Sequence, residues 1–395
     1  MKICDLTQFY SPVSGGVKRY VNEKIAYLEA HAGEDSHLLI IPGERDELIA
    51  KGRSRTYTIR SPLISKTSRY RALLRLGAVE EILEKERPNL IESGDPYQMA
   101  WKAIASGRAL GIPVIGFYHS HFPEAYLRSV AKFFGPFATE IAMGAARRYV
   151  RYLYNQFART LVPSPALGEV LNSWGVENTR VVNLGVNTAI FKPGDDRALT
   201  RTEMELPPDK TILLYVGRLA HEKNTSTLFD CFESLTHQHP GRFHLLVVGD
   251  GQQRHLLEQL RTKTAAVTWL PYCADSSQLA RIYRAADLFI HPGVQETFGL
   301  VSLESQACGT PVIGIRGSYM DRIIHTDLTC WAGENTPHAL ADAVAAASGN
   351  DLTGVGRKAS REVAANYSWT NIFTRLFAIY REVASLETSV SINGR

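Results

Sequence analysis

The chain runs to 395 residues, 45% hydrophobic, 21% charged and 9% aromatic, ordinary globular values with length enough for two or three domains. Forty-four Lys and Arg against 40 Asp and Glu leave a formal charge of +4, too small for the basic field of a dedicated nucleic-acid binder. Five scattered cysteines (Cys4, Cys231, Cys273, Cys308, Cys330), without C-x-x-C spacing, point to neither a disulfide framework nor a zinc site.

No run of eighteen apolar residues occurs, and the opening MKICDLTQFY reads as a strand rather than as a charged segment leading into an apolar one. The expectation is a cytoplasmic chain in a reducing compartment. Charge is uneven along it. Residues 1–185 carry 24 Lys and Arg against 18 Asp and Glu, while residues 186–395 carry 20 against 22.

In chain order, short apolar runs alternate with amphipathic helical stretches, the pattern of parallel sheets covered on both faces by helices. Strands are predicted over Lys2–Leu6, His37–Ile41, Asn89–Glu92, Pro113–Tyr118, Thr160–Val162 and Arg180–Val182, with helices notably over Val17–Ala30 and Tyr70–Lys85. Proline, glycine and charge in Phe191-Lys-Pro-Gly-Asp-Asp-Arg197 and Leu206-Pro-Pro-Asp209 then break the periodicity as a linker would. Beyond it, strands are predicted over Ile212–Val216, His244–Val248, Val267–Leu270, Leu288–His291 and Pro311–Ile315. The fold class expected is α/β, two Rossmann-like domains, 1–187 and 188–368, facing each other across a cleft. Ligands of open α/β sheets bind beyond the carboxyl ends of strands, so residues just after each strand are the candidates.

After the first strand, Ser11-Pro-Val-Ser-Gly-Gly-Val17 opens a helix, and Gly15 and Gly16 let backbone come close to a ligand. No G-x-G-x-x-G occurs there, which counts against a nicotinamide or flavin enzyme. Arg218 follows the strand Ile212–Val216, with Lys223 five residues on, and two cations there suit a diphosphate; a solvated pair of Arg218 with Glu222 is the plain alternative. In Gln295-Glu-Thr-Phe-Gly-Leu-Val-Ser-Leu-Glu304 the carboxylates Glu296 and Glu304 are eight residues apart. With Thr297 as helix N-cap, Glu296 stands in the loop, the N–H groups of Phe298, Gly299 and Leu300 face a phosphate, and Glu304 lies two turns in. One carboxylate then serves a sugar and the other a vicinal diol such as a ribose. Leu300, Leu303 and Ala307 make the face beside Glu304 apolar, which argues against an ordinary surface glutamate.

G-R-x-x-x-E-K-N at Gly217–Asn224 and E-x₇-E at Glu296–Glu304, with Gly15-Gly16 and Asn183-Leu-Gly-Val-Asn187 before the linker, resemble the retaining nucleotide-sugar glycosyltransferases of family 4, of GT-B architecture. The resemblance covers essentially the whole chain. It implies that Arg218 and Lys223 bind the donor pyrophosphate, Glu304 the ribose hydroxyls and Glu296 the sugar. Gly16, Phe298, Gly299 and Leu300 would offer N–H groups, and Leu270 would lie beside the base. His119, after the strand Pro113–Tyr118, would stand beside the transferred sugar, with His121 as its competitor. A final helix, about 369–386, would pack back on the first domain. Where relatives commonly have Gly-Gly and a glutamate, Arg316-Gly-Ser-Tyr-Met-Asp-Arg322 departs, so donor specificity is not carried over.

The implied reaction moves a hexosyl group from a UDP- or GDP-sugar to an acceptor hydroxyl, with the nucleotide sugar as substrate and no cofactor. No Asp-x-Asp occurs, so no metal is expected. A nucleotide-sugar sensor without chemistry is the alternative class. Lys51–Arg75 holds eight cations, Arg69, Arg71 and Arg75 among them, and no acidic residue, interleaved with Tyr57, Leu63, Ile64, Tyr70, Leu73 and Leu74. Such a segment suits an anionic membrane surface, as does Tyr126–Phe157, which mixes aromatic residues with arginines. The acceptor expected is a membrane lipid met peripherally on the inner face of the plasma membrane. The runner-up is a soluble sugar, sugar phosphate or polysaccharide precursor.

Overall fold

A computed structural model describes residues 1–10, 16–64, 69–119, 135–294, 298–318, 320, 323, 325 and 330–393, with side chains as far as residue 385. The chain divides into two compact units, Met1–Leu184 with Trp369–Arg395, and Gly185–Ser368.

In the first unit one sheet is built from β1 (Lys2–Leu6), β2 (Ser36–Gly43), β3 (Glu47–Lys51), β4 (Ser54–Arg60), β5 (Leu90–Ser93), β6 (Val114–Phe117), β7 (Arg159–Val162) and β8 (Thr179–Val181). Their order is β3-β4-β2-β1-β5-β6-β7-β8, parallel throughout except for the β3–β4 hairpin. The crossovers carry α1 (Gly16–His31), α2 (Leu76–Glu86), α3 (Gln98–Leu110), α4 (Pro136–Tyr154) and α5 (Pro165–Ser173). Strands buried on both faces read as continuous apolar runs, and between their end residues β1, β2 and β5 do so except at Asp5, His37 and Glu92. All three polar exceptions are buried.

Two strands of this sheet, β3 and β4, are absent from the sequence expectation, which took the stretch only for a basic segment. Ser54-Arg-Thr-Tyr-Thr-Ile-Arg60 is rich enough in β-branched and aromatic residues for a strand, and it joins β2 with Leu38 opposite Arg55 and Ile40 opposite Tyr57. The helix expected from Tyr70 begins only at Leu76. Before it the chain doubles back: Ile64 N–H bonds Tyr70 O at 2.8 Å and Leu63 bridges Arg71, with Arg69 at φ +52°.

The second unit holds a five-stranded parallel sheet in the order β11-β10-β9-β12-β13. Its strands are β9 (Thr211–Val216), β10 (Phe243–Val248), β11 (Val267–Leu270), β12 (Leu288–His291) and β13 (Val312–Gly314), each within two residues of its predicted span. The helices are α6 (Arg197–Glu203), α7 (Thr225–Gln238), α8 (Arg254–Lys263), α9 (Ser276–Ala285), α10 (Leu300–Ala307), α11 (Pro337–Ala347) and α12 (Leu352–Asn366). The proline- and glycine-rich stretch before β9 packs within this unit. Phe191 is buried, and Arg284 of α9 holds the Asp196 carboxylate through Nε at 2.6 Å and Nη2 at 2.5 Å.

The closing helix α13 (Trp369–Asn393) belongs to the first unit. Ile372, Phe373, Leu376, Phe377, Tyr380 and Val383 recur at helical spacing and are all buried, so one stripe of α13 faces the sheet's helical layer. Tyr27 of α1 meets both Phe373 and Phe377, at ring separations of 5.6 and 5.2 Å.

Candidate functional site

In the second unit the loop after β9 is held by backbone. Gly217 N–H bonds Val248 O, Leu219 N–H bonds Asp250 O, and Gln253 N–H bonds Leu219 O. A Cβ on Gly249, at φ +142°, would fall 1.9 Å from Gly217 O, so only glycine allows the two strand-end loops this close. Tyr215 donates its hydroxyl to Arg218 O at 2.8 Å, and Arg218 thereby leaves the strand end at a fixed point. Its guanidinium is exposed and paired with Glu222 at 2.9 Å, as the plain alternative reading has it. Exposed i,i+4 pairs of this kind are worth about 0.3–0.5 kcal/mol, little enough for a diphosphate to displace. Lys223 ends a 3₁₀ turn, His221–Lys223, and Asn224 follows in left-handed conformation. The Asn224 amide donates to Pro292 O and Asn335 Oδ1, tying the Lys223 turn to the end of β12.

Glu296 lies outside the described residues, as does Thr297. The N-cap of α10 is not Thr297 but Gly299, and the helix starts at Leu300. Two facts demand glycine there: φ is +71°, and a Cβ would meet Met320 Sδ at 2.3 Å. Phe298 is buried beside the Tyr367 ring. Glu304 therefore sits one turn into α10 rather than two. It is only 2% exposed and accepts the Tyr283 hydroxyl at 3.0 Å, so the surface-glutamate reading fails. Ser302, in the first turn, is fully buried with an Oγ that has no hydrogen-bond partner among the described residues. Sequence reading missed Tyr283 and Ser302 and gave Asn224, the last residue of its motif, no role; the signal for Tyr283 was its place on the apolar face of the helix preceding β12.

Leu270 ends β11, and its carbonyl accepts Gly249 N–H at 2.9 Å, which puts it on the same carboxyl edge as Arg218. Tyr272, two residues on, is exposed. Among the described residues no cluster of three or more His, Cys, Asp or Glu side chains could hold a metal.

In the first unit Gly16 is the first residue of α1, exposed, with nothing within 4 Å of where a Cβ would stand. Gly15 lies outside the described residues, and so does His121. His119 stacks on Phe117 with ring centres 3.9 Å apart and meets Tyr20 edge-on at 5.1 Å. Burial, then the Lys24 charge, lower its pKa to about 3, so the imidazole is neutral at physiological pH. A small cavity beneath it is lined by Asp5, Thr7, Tyr20, Glu92 and Gly94.

The basic segment needs correction. Arg71 bonds Glu44 Oε1 at 2.7 Å and Ser61 O at 2.8 Å, Arg75 bonds Asp46 Oδ2 at 2.6 Å, and Arg55 bonds Glu86. The β2–β3 turn and α2 bring carboxylates that a local count omits, so the segment is not a uniformly cationic surface. Apolar side chains stand out instead, with Leu63, Ile64 and Leu74 exposed beside these pairs. Of Tyr126–Phe157, residues 126–134 lie outside the described part; Phe137, Ile141 and Tyr152 are exposed on α4, whereas Tyr154 and Phe157 are core. No helix among the described residues is long and apolar enough to cross a membrane.

The model of Glycosyltransferase Family 4 matches residues 14–190, and that of Glycosyl transferases group 1 matches residues 196–364. A GDP-mannose-dependent alpha-(1-6)-phosphatidylinositol dimannoside mannosyltransferase of Mycobacterium tuberculosis is 31% identical over 351 residues, 87% of this chain and 87% of its own. A D-inositol 3-phosphate glycosyltransferase of Segniliparus rotundus is 34% identical over 51% of this chain and 46% of its own. Among solved structures, sucrose-phosphate synthase from Thermosynechococcus elongatus matches with a TM-score of 0.77 at 21% identity, covering 98% of this chain and 100% of that one, a likeness of fold.

Proposed function

Because the chain belongs to the family 4 glycosyltransferases and has their GT-B pair of Rossmann-like units, we propose that it transfers a mannosyl group from GDP-mannose to a phosphatidylinositol-type glycolipid, with retention at the anomeric carbon. The observation that carries the transferase reading is one edge of the second sheet. There Arg218, Lys223, the start of α10 and the Tyr283-held Glu304 follow strand ends together. Two cations and a helix start suit a diphosphate, and an oriented carboxylate suits a ribose diol. The mannose donor is supported by the relative that matches 87% of both chains.

In the proposed reaction the bond from the anomeric carbon to the diphosphate oxygen breaks while the acceptor oxygen bonds that carbon on the same face. The acceptor proton passes to the departing diphosphate. Negative charge grows on the leaving group, so Arg218, Lys223 and the N–H groups of Gly299 and Leu300 stabilise the transition state more than the bound donor. With that charge met by side chains and a helix start, the reaction needs neither metal nor cofactor. Glu296 accepts hydrogen bonds from the sugar, and His119, neutral at physiological pH, is the first unit's candidate for the reaction. The acceptor is met at an anionic membrane surface on the inner leaflet, through Leu63, Ile64 and Leu74 flanked by arginines.

The test is radiolabelled transfer from GDP-mannose, UDP-glucose and other UDP-sugars to phosphatidylinositol, its mannosides and inositol phosphates, with products identified by mass spectrometry. Mannosylated lipid with an α linkage is the expected product. A soluble inositol phosphate is the second reading, favoured by the Segniliparus rotundus relative, and it wins if that acceptor is glycosylated without vesicles. Donor binding with no transfer to any acceptor would make the chain a sensor.

A further inference from the structure

Beneath His119 the first unit buries a cluster of charge that the proposed reaction does not use. Lys24 of α1 is fully buried, and its ammonium donates to Asp5 Oδ1 at 2.8 Å, Glu92 Oε1 at 3.0 Å and the Tyr380 hydroxyl at 2.8 Å. It also lies 4.5 Å from the centre of the Tyr20 ring. His37 Nε2 lies 2.6 Å from Asp5 Oδ2, and its other ring nitrogen 3.4 Å from Ser54 Oγ. Glu92 Oε2 takes two hydroxyls, Tyr20 at 3.3 Å and Tyr380 at very short range. Replacing a buried ion pair by well-packed hydrocarbon is often neutral or stabilising, so the cluster is weak evidence of a purely stabilising role.

The cluster is one proton from neutrality. One ammonium and two carboxylates sum to a net negative charge, and an uncompensated buried charge is costly, so a further proton, on a carboxylate or on the His37 imidazole beside Asp5, completes the balance. The titratable groups facing it are Cys4 and Asp5 from β1, His37 from β2, Glu92 from β5, His119 after β6, Tyr20 and Lys24 from α1, and Tyr380 from α13. Burial pushes the Glu92 carboxyl up to about 7 against the pull of Lys24, while Lys24 and His37 together outweigh burial and hold Asp5 well below its usual range. Of the two carboxylates, Glu92 is therefore the one that takes up a proton as pH falls.

Its arrival has a geometric consequence. Two hydroxyls donate to one carboxylate oxygen, and when that oxygen carries a proton one of them must turn from donor to acceptor. Tyr20 is one of the two, and its ring is the wall against which His119 rests, at 5.1 Å, with Phe117 closing the other side.

We propose that Glu92 and Tyr380 are positioning residues for His119, setting the Tyr20 ring, and through it the imidazole, according to whether Glu92 carries a proton. This rests on the transferase reading for its kinetic consequence but not for the structural one. The pH dependence of turnover near neutrality then belongs to the cluster rather than to His119.

Two readouts on the full chain separate the inference from the function it serves. With histidine ring carbons labelled and His119 assigned by its loss in His119→Asn, its resonance is followed from pH 5.5 to 8.5. It should shift through a midpoint near 7 with the small amplitude of a neighbour's titration, and be flat in Glu92→Gln. A wild-type resonance flat across that range, or a shift unchanged in Glu92→Gln, overturns the proposal. In kinetics with GDP-mannose, Tyr380→Phe should lower kcat about 10-fold with donor KM within two-fold, an effect on the transition state alone. Glu92→Gln should remove the neutral limb of the kcat profile. Unaltered kcat and pH profile in a destabilised Tyr380→Phe would mark a merely structural residue and overturn it. An active-site failure reads differently: no transfer by the wild type, with the resonance still shifting, refutes the transferase reading and leaves the positioning device standing.

Discussion

Tyr283 of α9 reaches across to Glu304 of α10 and donates its hydroxyl at 3.0 Å, with both residues sealed from solvent. A carboxylate fixed this way is held in one orientation, as the ribose role proposed for it requires. Glu304→Ala should raise the donor KM by 10-fold or more with kcat changed far less, since ribose contacts are made equally in ground and transition states. Tyr283→Phe should give a smaller shift of the same kind. A loss confined to kcat would remove Glu304 from the ribose.

Arg218→Ala and Lys223→Ala should each lower kcat by about 10²-fold or more, because in the proposed reaction each takes a charge from the leaving diphosphate. Glu222→Ala frees Arg218 from its surface pair and should leave kcat within two-fold. Single-turnover measurements with saturating donor decide this, and near-normal turnover in either cation variant would end the assignment. Turnover should also persist in excess EDTA; loss restored by Mg²⁺ would transfer the diphosphate's stabilisation to a metal.

Gly299→Ala faces two penalties, a left-handed φ and the Met320 sulfur. Each is of order 1–3 kcal/mol, so Tm should drop by several degrees. The double change with Met320→Ala should recover only part, since the backbone penalty remains. Full recovery would show that φ there is relaxed.

Two histidines shape the acid limb of stability. Burial lowers His119 to about 3 and His244 to about 4, below the roughly 6.5 of an unfolded chain. The unfolded state takes those protons first, so stability falls as pH drops from about 6.5 through these values. His119→Asn and His244→Gln should each lessen the loss of Tm between pH 7 and pH 4. Glu92 acts in the opposite sense, its raised pKa costing stability as pH rises from about 4.5 to 7. An acid limb identical in all three chains would place the cause elsewhere.

Membrane contact should follow exposed apolar side chains more than arginines already paired. Co-sedimentation with anionic vesicles at low salt should fall several-fold in the triple change of Leu63, Ile64 and Leu74 to Ser. Arg71→Ser with Arg75→Ser should weaken it less, because Glu44 and Asp46 already balance those charges. The reverse order would restore the basic segment to the leading role.

The second sheet was legible because its strands are apolar on both faces and end in glycine, proline or aspartate, so period and punctuation agree. Glu304's burial was legible from Leu300, Leu303 and Ala307. The N-cap was not: Thr297 has the better capping side chain, and what fixes Gly299 instead is Met320, twenty-one residues away. The arginines of the basic segment were misread for the same reason, their carboxylate partners arriving from the β2–β3 turn and from the end of α2, 27 to 31 residues distant. Lys24 sits in a helix that local pattern would leave amphipathic and solvated. Its partners come from β1, β5 and α13, and no local window contains them.

The closing helix also fixes an order of assembly during synthesis. Lys24 is translated more than three hundred residues before Tyr380, its hydrogen-bond partner at 2.8 Å. The first unit thus waits, its charge cluster open on one side, until residues 369–385 have left the ribosome. The second unit, continuous from Gly185 to Ser368, has all its strands available sooner and can fold first although it is made later. The half of the molecule born first is the half completed last.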